Sequence, residues 1–465
     1  MKTLKYTRMT LVIIFLAQLA FQLESCQKSV SFPEQPGDSE FATQSNNSNS
    51  KALPHTKQYP AEVATAWFTL IANLSKTTPY NNPITVRLMA YAGMTLYESV
   101  VPGMPSYQSM YKYLTGNNIS FDNKKDYYWP ASANAALARI TAKLLQNYPA
   151  SPNLAAIQAL EISLNNSYQP FVTPEQLQLS NEFGRSVADI IYEWSKTDGT
   201  LNSNGTLAPC PPYIPLGVPG TWVPTPPVFA AANGGCQGAL RTFVPGITTT
   251  TLPSAPPVYS TNPNSDFYKM AQEIQQISLT TTPADINIVQ AWRDLLGTNY
   301  NGPAHMIKLS SEIIDKENMN LEEASVTYAK QGIALFDAVV SAFHAKFYYA
   351  LLRPVTYIRS VMGFSTWNSV YTTPQHPSYS DEAVGTQAAS VYLLEQTFGA
   401  NYSFVDSTQK SLYGSFSYSS FDDLLLDVGK SRTHSGINFK RSVSEGANQG
   451  RKIGQLVNQL PFKKL

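Results

Sequence analysis

NLEEASVTYAKQGIALFDAVVSAFHAKFYYALLRP, residues Asn320 to Pro354, is the longest uninterrupted helical pattern in the chain. Asn320 is placed to cap its N-terminus, and Glu322 and Glu323 fall in the first turn, where carboxylates favour the positive end of the helix dipole. Val326, Ile333, Phe336, Val340 and Phe343 recur at three-, four- and seven-residue steps and mark a buried face. A residue before proline is pushed out of the α region, so Pro354 predicts a boundary near Leu352 or Arg353. On a continuous helix, Lys346 and Arg353 would lie about 20° apart around the axis and roughly 10.5 Å along it. Two cations on one side of a helix end suit a tetrahedral oxyanion, Arg as a planar fork and Lys as a point charge. Taken alone, the pair reads first as a solvated basic face.

Outside this segment the helical pattern repeats. Val63, Trp67, Leu70 and Ile71 share a face, as do Ile84, Leu88, Tyr91, Thr95 and Leu96 after Pro83. Further helices are expected over Ala131 to Leu145, Asn153 to Leu164, and from Thr173 to near Gly199, where Thr173-Pro174-Glu175-Gln176 reads as a cap with proline at the first turn. Downstream, the pattern predicts helices over Asp266 to Ile277, Pro283 to Leu296, Met306 to Glu317, Asp381 to Phe398, Asp422 to Gly429 and Ser442 to Leu460. Alternating strand patterns are almost absent. The expected fold is all-α, a multi-helix bundle over residues 61–465 with the oxyanion-site helices at 320–460.

Residues 200–263 break the pattern with a high density of prolines, which fix φ and remove donors. The stretch is too long for a simple connection. Trp222, Phe229, Phe243 and Tyr259 are the apolar anchors expected of an ordered cover.

The chain has 465 residues, a formal charge of +1, 14% charged residues and 27 tyrosines. So balanced a charge gives no footprint for nucleic acid, and neutral polar groups supply the surface instead. Lys2, Lys5 and Arg8 precede the apolar run Leu11 to Ala17, a secretory signal over residues 1–25. Leu23-Glu24-Ser25-Cys26 resembles a bacterial lipoprotein cleavage box, with Glu24 an unusual member. Cys26 is therefore expected to be lipidated, tethering an extracytoplasmic domain to a bacterial membrane through a flexible segment at 26–60; the alternative is an ordinary signal peptide cut nearby. Cys210 and Cys236 share the proline-rich segment, and an extracytoplasmic setting permits them to pair; two buried free thiols are the alternative.

Several elements together resemble the bacterial vanadium-dependent haloperoxidases and their relatives in the type-2 phosphatidic acid phosphatase superfamily. They are Met94-Thr95-Leu96-Tyr97-Glu98-Ser99-Val100, Pro219-Gly220-Thr221-Trp222-Val223-Pro224-Thr225-Pro226-Pro227, Gly302-Pro303-Ala304-His305, and the Lys346-x6-Arg353-Pro354 element. The resemblance implies a bound phosphate or vanadate held by Lys346, Arg353, Ser380 and Arg432, with no separate metal site. It also implies a Pro-Ser-Gly-His element and a final histidine, one acting as acid and base, the other as nucleophile or ligand. This chain departs at both. Pro377-Ser378-Tyr379-Ser380-Asp381-Glu382 is about one residue short and puts Glu382 where the first histidine is expected, and Asn438 follows Ser431-Arg432-Thr433-His434-Ser435-Gly436-Ile437 in place of the second.

An amide neither attacks phosphorus at neutral pH nor matches imidazole as a ligand, and Glu382 would repel a dianion unless protonated. The expectation is a degenerate site that keeps its holding groups. The alternative is an active phosphoester hydrolase or vanadate-dependent haloperoxidase using His434 or His376 as substitutes. If a helix continues through Arg432, His434 points away from it, and a structural role is then its simpler reading. His305 reads as a positioning or packing residue.

Overall fold

In the computed structural model, residues 53–78, 81–148 and 151–464 are described; the signal segment, Cys26 and the tether up to residue 52 lie outside the described residues. The described part contains sixteen α-helices: α1 Glu62–Thr77, α2 Asn82–Val100, α3 Met110–Thr115, α4 Trp129–Leu145, α5 Ser151–Tyr168, α6 Pro174–Ser195, α7 Ile247–Thr250 and α8 Asp266–Thr280. They continue with α9 Pro283–Ala291, α10 Gly302–Lys316, α11 Leu321–Tyr349, α12 Pro354–Ser360, α13 Glu382–Phe398, α14 Lys410–Tyr413, α15 Phe421–His434 and α16 Lys440–Asn458. Among the described residues strand pairing is confined, apart from isolated bridges, to one small ribbon, β1 Phe404–Asp406 against antiparallel β2 Phe416–Tyr418. The mostly helical expectation is met. Among the described residues no helix is long and apolar enough to cross a membrane.

Helix α11 is the axis of the bundle. Asn320 and Glu323 form a reciprocal capping box at its start, with bonds of 3.0 and 3.1 Å. It crosses α2 closely, because a Cβ on Gly332 would meet Met89 O at 2.6 Å and one on Gly93 would meet Tyr328 O at 2.6 Å. Helices α13 and α16 approach the same way: a Cβ on Gly450 would stand 2.0 Å from Gly385 O. Burying both faces of α11 in this way leaves Ile333, Phe336 and Val340 at or near zero exposure, the apolar stripe read from the sequence.

The C-terminal end of α11 departs from the expected geometry. The helix stops at Tyr349, and Ala350 turns the chain in the left-handed region at φ 48°. The cause is long-range. Leu351 bridges Thr221, with Trp222 N donating to Ala350 O at 2.6 Å and Leu352 N to Gly220 O at 3.0 Å. The proline-rich segment thus pulls residues 350–352 into extended backbone. Lys346 and Arg353 are brought together by a turn, not by helical phase.

Residues 200–263 form an ordered cover, regular only at α7 and a 3-10 turn at Gln237–Ala239. Trp222 and Phe243 are buried as anchors, and Tyr259 packs its ring edge against Phe267. Phe229 is 62% exposed and does not anchor the segment, contrary to expectation. Cys210 and Cys236 are bonded, with Cα atoms 5.7 Å apart. The cover is pinned to α11 by Asp337, whose carboxylate accepts from Phe243 N at 2.8 Å and Val244 N at 2.9 Å. Asp337→Ala would orphan both buried donors and is expected to lower stability by about 3 kcal/mol and expose the cover to protease. Urea unfolding with limited proteolysis checks this; an unchanged unfolding midpoint would refute the pin.

At the N-terminal side, the folded part begins before Ala61. Thr56 is buried with Oγ1 donating to Val100 O at 2.8 Å, and Leu321 N donates to Tyr59 O at 2.8 Å.

Candidate functional site: a closed cationic cradle

Lys346, Arg353 and Arg432 converge at one end of the bundle, all three at least nine-tenths buried. They come from the last turn of α11, the turn preceding α12, and the last turn of α15. Their donors are largely committed to the protein. An ammonium has three donors. That of Lys346 faces three carbonyls, Ser380 O at 2.7 Å, Pro377 O at 3.0 Å and Ser378 O at 3.5 Å. Arg353 Nε donates to His376 O at 2.8 Å, Nη1 to Ile437 O at 3.0 Å and to Asn438 Oδ1, and Nη2 to His376 Nδ1 at 3.1 Å. Arg432 Nη1 donates to Tyr371 OH at 3.1 Å.

The counter-charge is internal. Asp381, wholly buried, places Oδ2 3.5 Å from Arg432 Nε and accepts from Asn438 Nδ2. Its Oδ1 caps α13 through Val384 N at 3.0 Å. Asn438, where the resemblance expects the final histidine, therefore bridges the cluster: its oxygen takes Arg353 and, at 3.2 Å, Ser378 Oγ, and its amide reaches Asp381. Ser380 does not present its hydroxyl to the cations, because Oγ donates to Gln449 Oε1 at 2.7 Å.

Burial and the adjacent cations govern the electrostatics. Desolvation first, then Arg353, pushes the Lys346 ammonium down to about 7. Burial and Arg432 push Arg353 down as well. Burial opposes the charge of Arg432, but Tyr371, Asp381, Asp294 and Glu382 together outweigh it and hold that guanidinium above its ordinary value. Glu382 is pushed up to about 7 by burial and then by Asp294; Asn82 donates to both carboxylates, at 2.9 Å and 3.1 Å.

Because its folded value lies above the unfolded one, the Glu382 carboxyl favours folding at low pH, and that contribution is lost as pH rises through about 7. Glu382→Gln is expected to raise Tm more at pH 8 than at pH 5, since the amide keeps an acceptor for Asn82 without the buried charge. An equal Tm change at both pH values would contradict this.

His376 borders the cluster with its ring 5.3 Å from that of Phe343. Arg353 is an obligate donor, so His376 Nδ1 accepts and the neutral ring carries its proton on Nε2. Pro377 O, 3.3 Å from the same Nδ1, then faces it with no proton between. Burial, then Lys346 and Arg353, holds the imidazole well below its usual range. A ring so fixed has a donor left to offer and no free lone pair. His434 is set apart, because α15 runs through both Arg432 and His434. Its Nδ1 meets Thr281 Oγ1 at 3.3 Å and Asp285 Oδ2 at 3.7 Å. His305 is buried, stacked on Trp292 at 4.3 Å, with Nε2 2.7 Å from Asp406 Oδ2.

Asp294, Asp381, Asn82 and Tyr371 also belong to the site, and no spacing in the sequence marks them as a group. Asp381 carried the one available signal, an acid beside Glu382 in the shortened element. Together with Phe343, His376, Glu382 and Arg432, the residues Asn82, Asp294 and Tyr371 line a cavity of about 510 Å³ in front of the cradle.

The architecture is a helix bundle with a buried Lys/Arg/Arg cluster at one end and a long cover over it. A family model described as the VCPO second helical-bundle domain matches residues 326–463. The crystal structure of a bacterial vanadium-dependent iodoperoxidase superposes with a TM-score of 0.78 at 25% identity, covering 86% of this chain and 97% of that one. Holo-type and apo-type bacterial vanadium-dependent chloroperoxidases superpose with TM-scores of 0.64 and 0.62 at 14% and 15% identity, each covering 83% of this chain and 93% and 94% of theirs. Comparison with curated proteins yields no match. In its fold, and over residues 326–463 in its helical-bundle domain, the chain is similar to the vanadium haloperoxidases.

Proposed function

We propose that this protein is a non-catalytic member of the family, whose inherited oxyanion cradle is closed by its own Asp381 and Asn438. The observation that carries the reading is the Asp381 carboxylate lying among the three cations and bonded to Asn438. The relatives are named as vanadium-dependent, and the residues present here do not fit vanadate or phosphate. The ammonium and guanidinium donors face protein carbonyls, a fixed carboxylate already faces the cations, and an amide stands where the reaction expects an imidazole. A second anion would have to displace Asp381 from this buried position.

Two substitute catalysts were open, and neither is favoured by geometry. His376 has its Nδ1 lone pair committed to Arg353, and His434 is held at Asp285. No halide oxidation or phosphoester hydrolysis is therefore assigned to the site. The domain is read as a binding protein, held outside the cytoplasm by a lipid on Cys26.

The test is turnover by the purified protein, with iodide or bromide, peroxide and orthovanadate in one assay and a generic aryl phosphate in the other. No rate above a heat-denatured control is expected. Saturable turnover that Arg353→Ala abolishes would overturn the reading. For the anchor, metabolic labelling with a radioactive fatty acid should mark the wild type and not Cys26→Ser; equal labelling of the two would refute it.

A further inference from the structure

The cavity in front of the cradle has the size of a small-molecule site, about 510 Å³, and its walls are held in place. One wall is the disulfide-closed part of the cover. It brings Asn233 and Gln237 to the cavity, and Asn233 N donates to Gln375 O at 2.8 Å. A preformed wall of this kind lowers the ordering cost of binding.

We propose that this cavity binds a neutral polyhydroxylated ligand, a mono- or disaccharide in chemical class. The inference rests on the reading that the cradle behind it takes no oxyanion. Charge is the first argument. The cavity cations Arg293 and Arg432 face the carboxyl groups of Asp294 and Glu382, with Asp381 behind Arg432, so neither an anion nor an amine meets charge of one sign alone. Chemistry at the rim is the second. Side-chain amides of Asn233, Gln237 and Gln375 offer both donor and acceptor, as a sugar hydroxyl does, and Asn81, whose oxygen caps α2 at Ile84 N, adds a donor; a wholly apolar guest would match none of them.

Unspent polar capacity at the floor is the third argument. Arg432 is more than nine-tenths buried and lines the cavity; its Nε has no hydrogen-bond acceptor, only the long ion pair to Asp381. Glu382 beside it commits Oε1 to Asn82. A guanidinium and a carboxyl side by side match vicinal hydroxyls, which both accept and donate. The rings of Phe343 and Tyr371, with Arg293 stacked 4.8 Å over the latter, supply apolar area for the C–H face of a pyranose.

Calorimetric titration of the full chain tests this, using glucose, galactose, maltose, cellobiose, lactose and trehalose separately, beside orthovanadate and ethylammonium. At least one sugar should give a saturable one-site isotherm at pH 8, where the Glu382 carboxyl is charged, weakened about tenfold by Glu382→Gln, as expected for loss of one hydrogen bond to a charged group. Asn233→Ala, an exposed rim change that spares the fold, should weaken it in the same direction. Sugar binding unaffected by Asn233→Ala and Gln237→Ala together would put the ligand elsewhere and overturn the inference. So would saturable binding of ethylammonium alone. If no sugar and no vanadate binds, the inference fails while the closed-cradle reading stands; one orthovanadate bound per chain would overturn both.

Discussion

Asp381→Gly should convert a phosphate-indifferent protein into one that phosphate stabilises. In the wild type, the Asp381 carboxylate is the nearest counter-charge to Arg432 and the partner of the Asn438 amide. Removing it leaves Lys346, Arg353 and Arg432 buried together without their nearest carboxylate, and strips the cap from α13 at Val384 N. Breaking a buried ion pair from one side costs about 3–5 kcal/mol, and loss of a cap adds about 1 kcal/mol.

The same vacancy is a seat for a tetrahedral anion. Phosphate affinity should rise about a hundredfold over wild type, which corresponds to about 2.7 kcal/mol. Urea unfolding with and without inorganic phosphate reads both effects: a lower midpoint for the variant, partly recovered by phosphate, against a wild-type midpoint that phosphate leaves alone. Asp381→Asn separates the terms, because asparagine keeps a capping oxygen and loses only the charge. No turnover is expected from either variant, since Asn438 remains. Equal stabilisation of wild type and variants by phosphate would show that the carboxylate does not close the seat.

Arg353→Ala is expected to destabilise the protein by at least about 4 kcal/mol. Arg353 has no exposed surface and ties together His376, Ile437 and Asn438, which belong to the stretches flanking α13 and α16. Its loss leaves carbonyl oxygens without donors and opens a cavity among tightly packed backbones. Arg353→Lys should recover little, because one ammonium cannot span acceptors that a planar fork reaches. The opposite outcome is informative. If Arg353 were a free ligand-holding group, its removal would relieve repulsion with Arg432 and Lys346, and the unfolding midpoint would stay or rise.

The helices were legible because their signals are local. Asn320 and Glu323 cap α11, and its apolar stripe has one period throughout. The three cations were legible as a set only through spacing joined to resemblance. What escaped the sequence is long-range or ambiguous. The turn at Ala350 is imposed by the distant segment at Gly220 to Trp222, which no local pattern announces. Helix α15 runs past Gly429, where the pattern suggested a stop. That glycine serves close packing instead, a Cβ there standing 3.1 Å from Val443 Cγ1. The longer helix is what separates His434 from Arg432. Asp381 was hidden by its second role, since an aspartate before a helix reads as a cap and needs no further explanation. Asp294 and Tyr371 lie in irregular segments after α9 and α12, where sequence periodicity carries no positional information.

The central claim is that the cradle is filled by the protein itself. Equilibrium dialysis of orthovanadate against the wild type and Asp381→Gly tests it most directly. Wild type should retain no stoichiometric vanadium, and the variant should retain up to one per chain in a manner that Arg432→Ala removes. One vanadium per wild-type chain, lost on Arg353→Ala in protein that remains folded, would contradict the account.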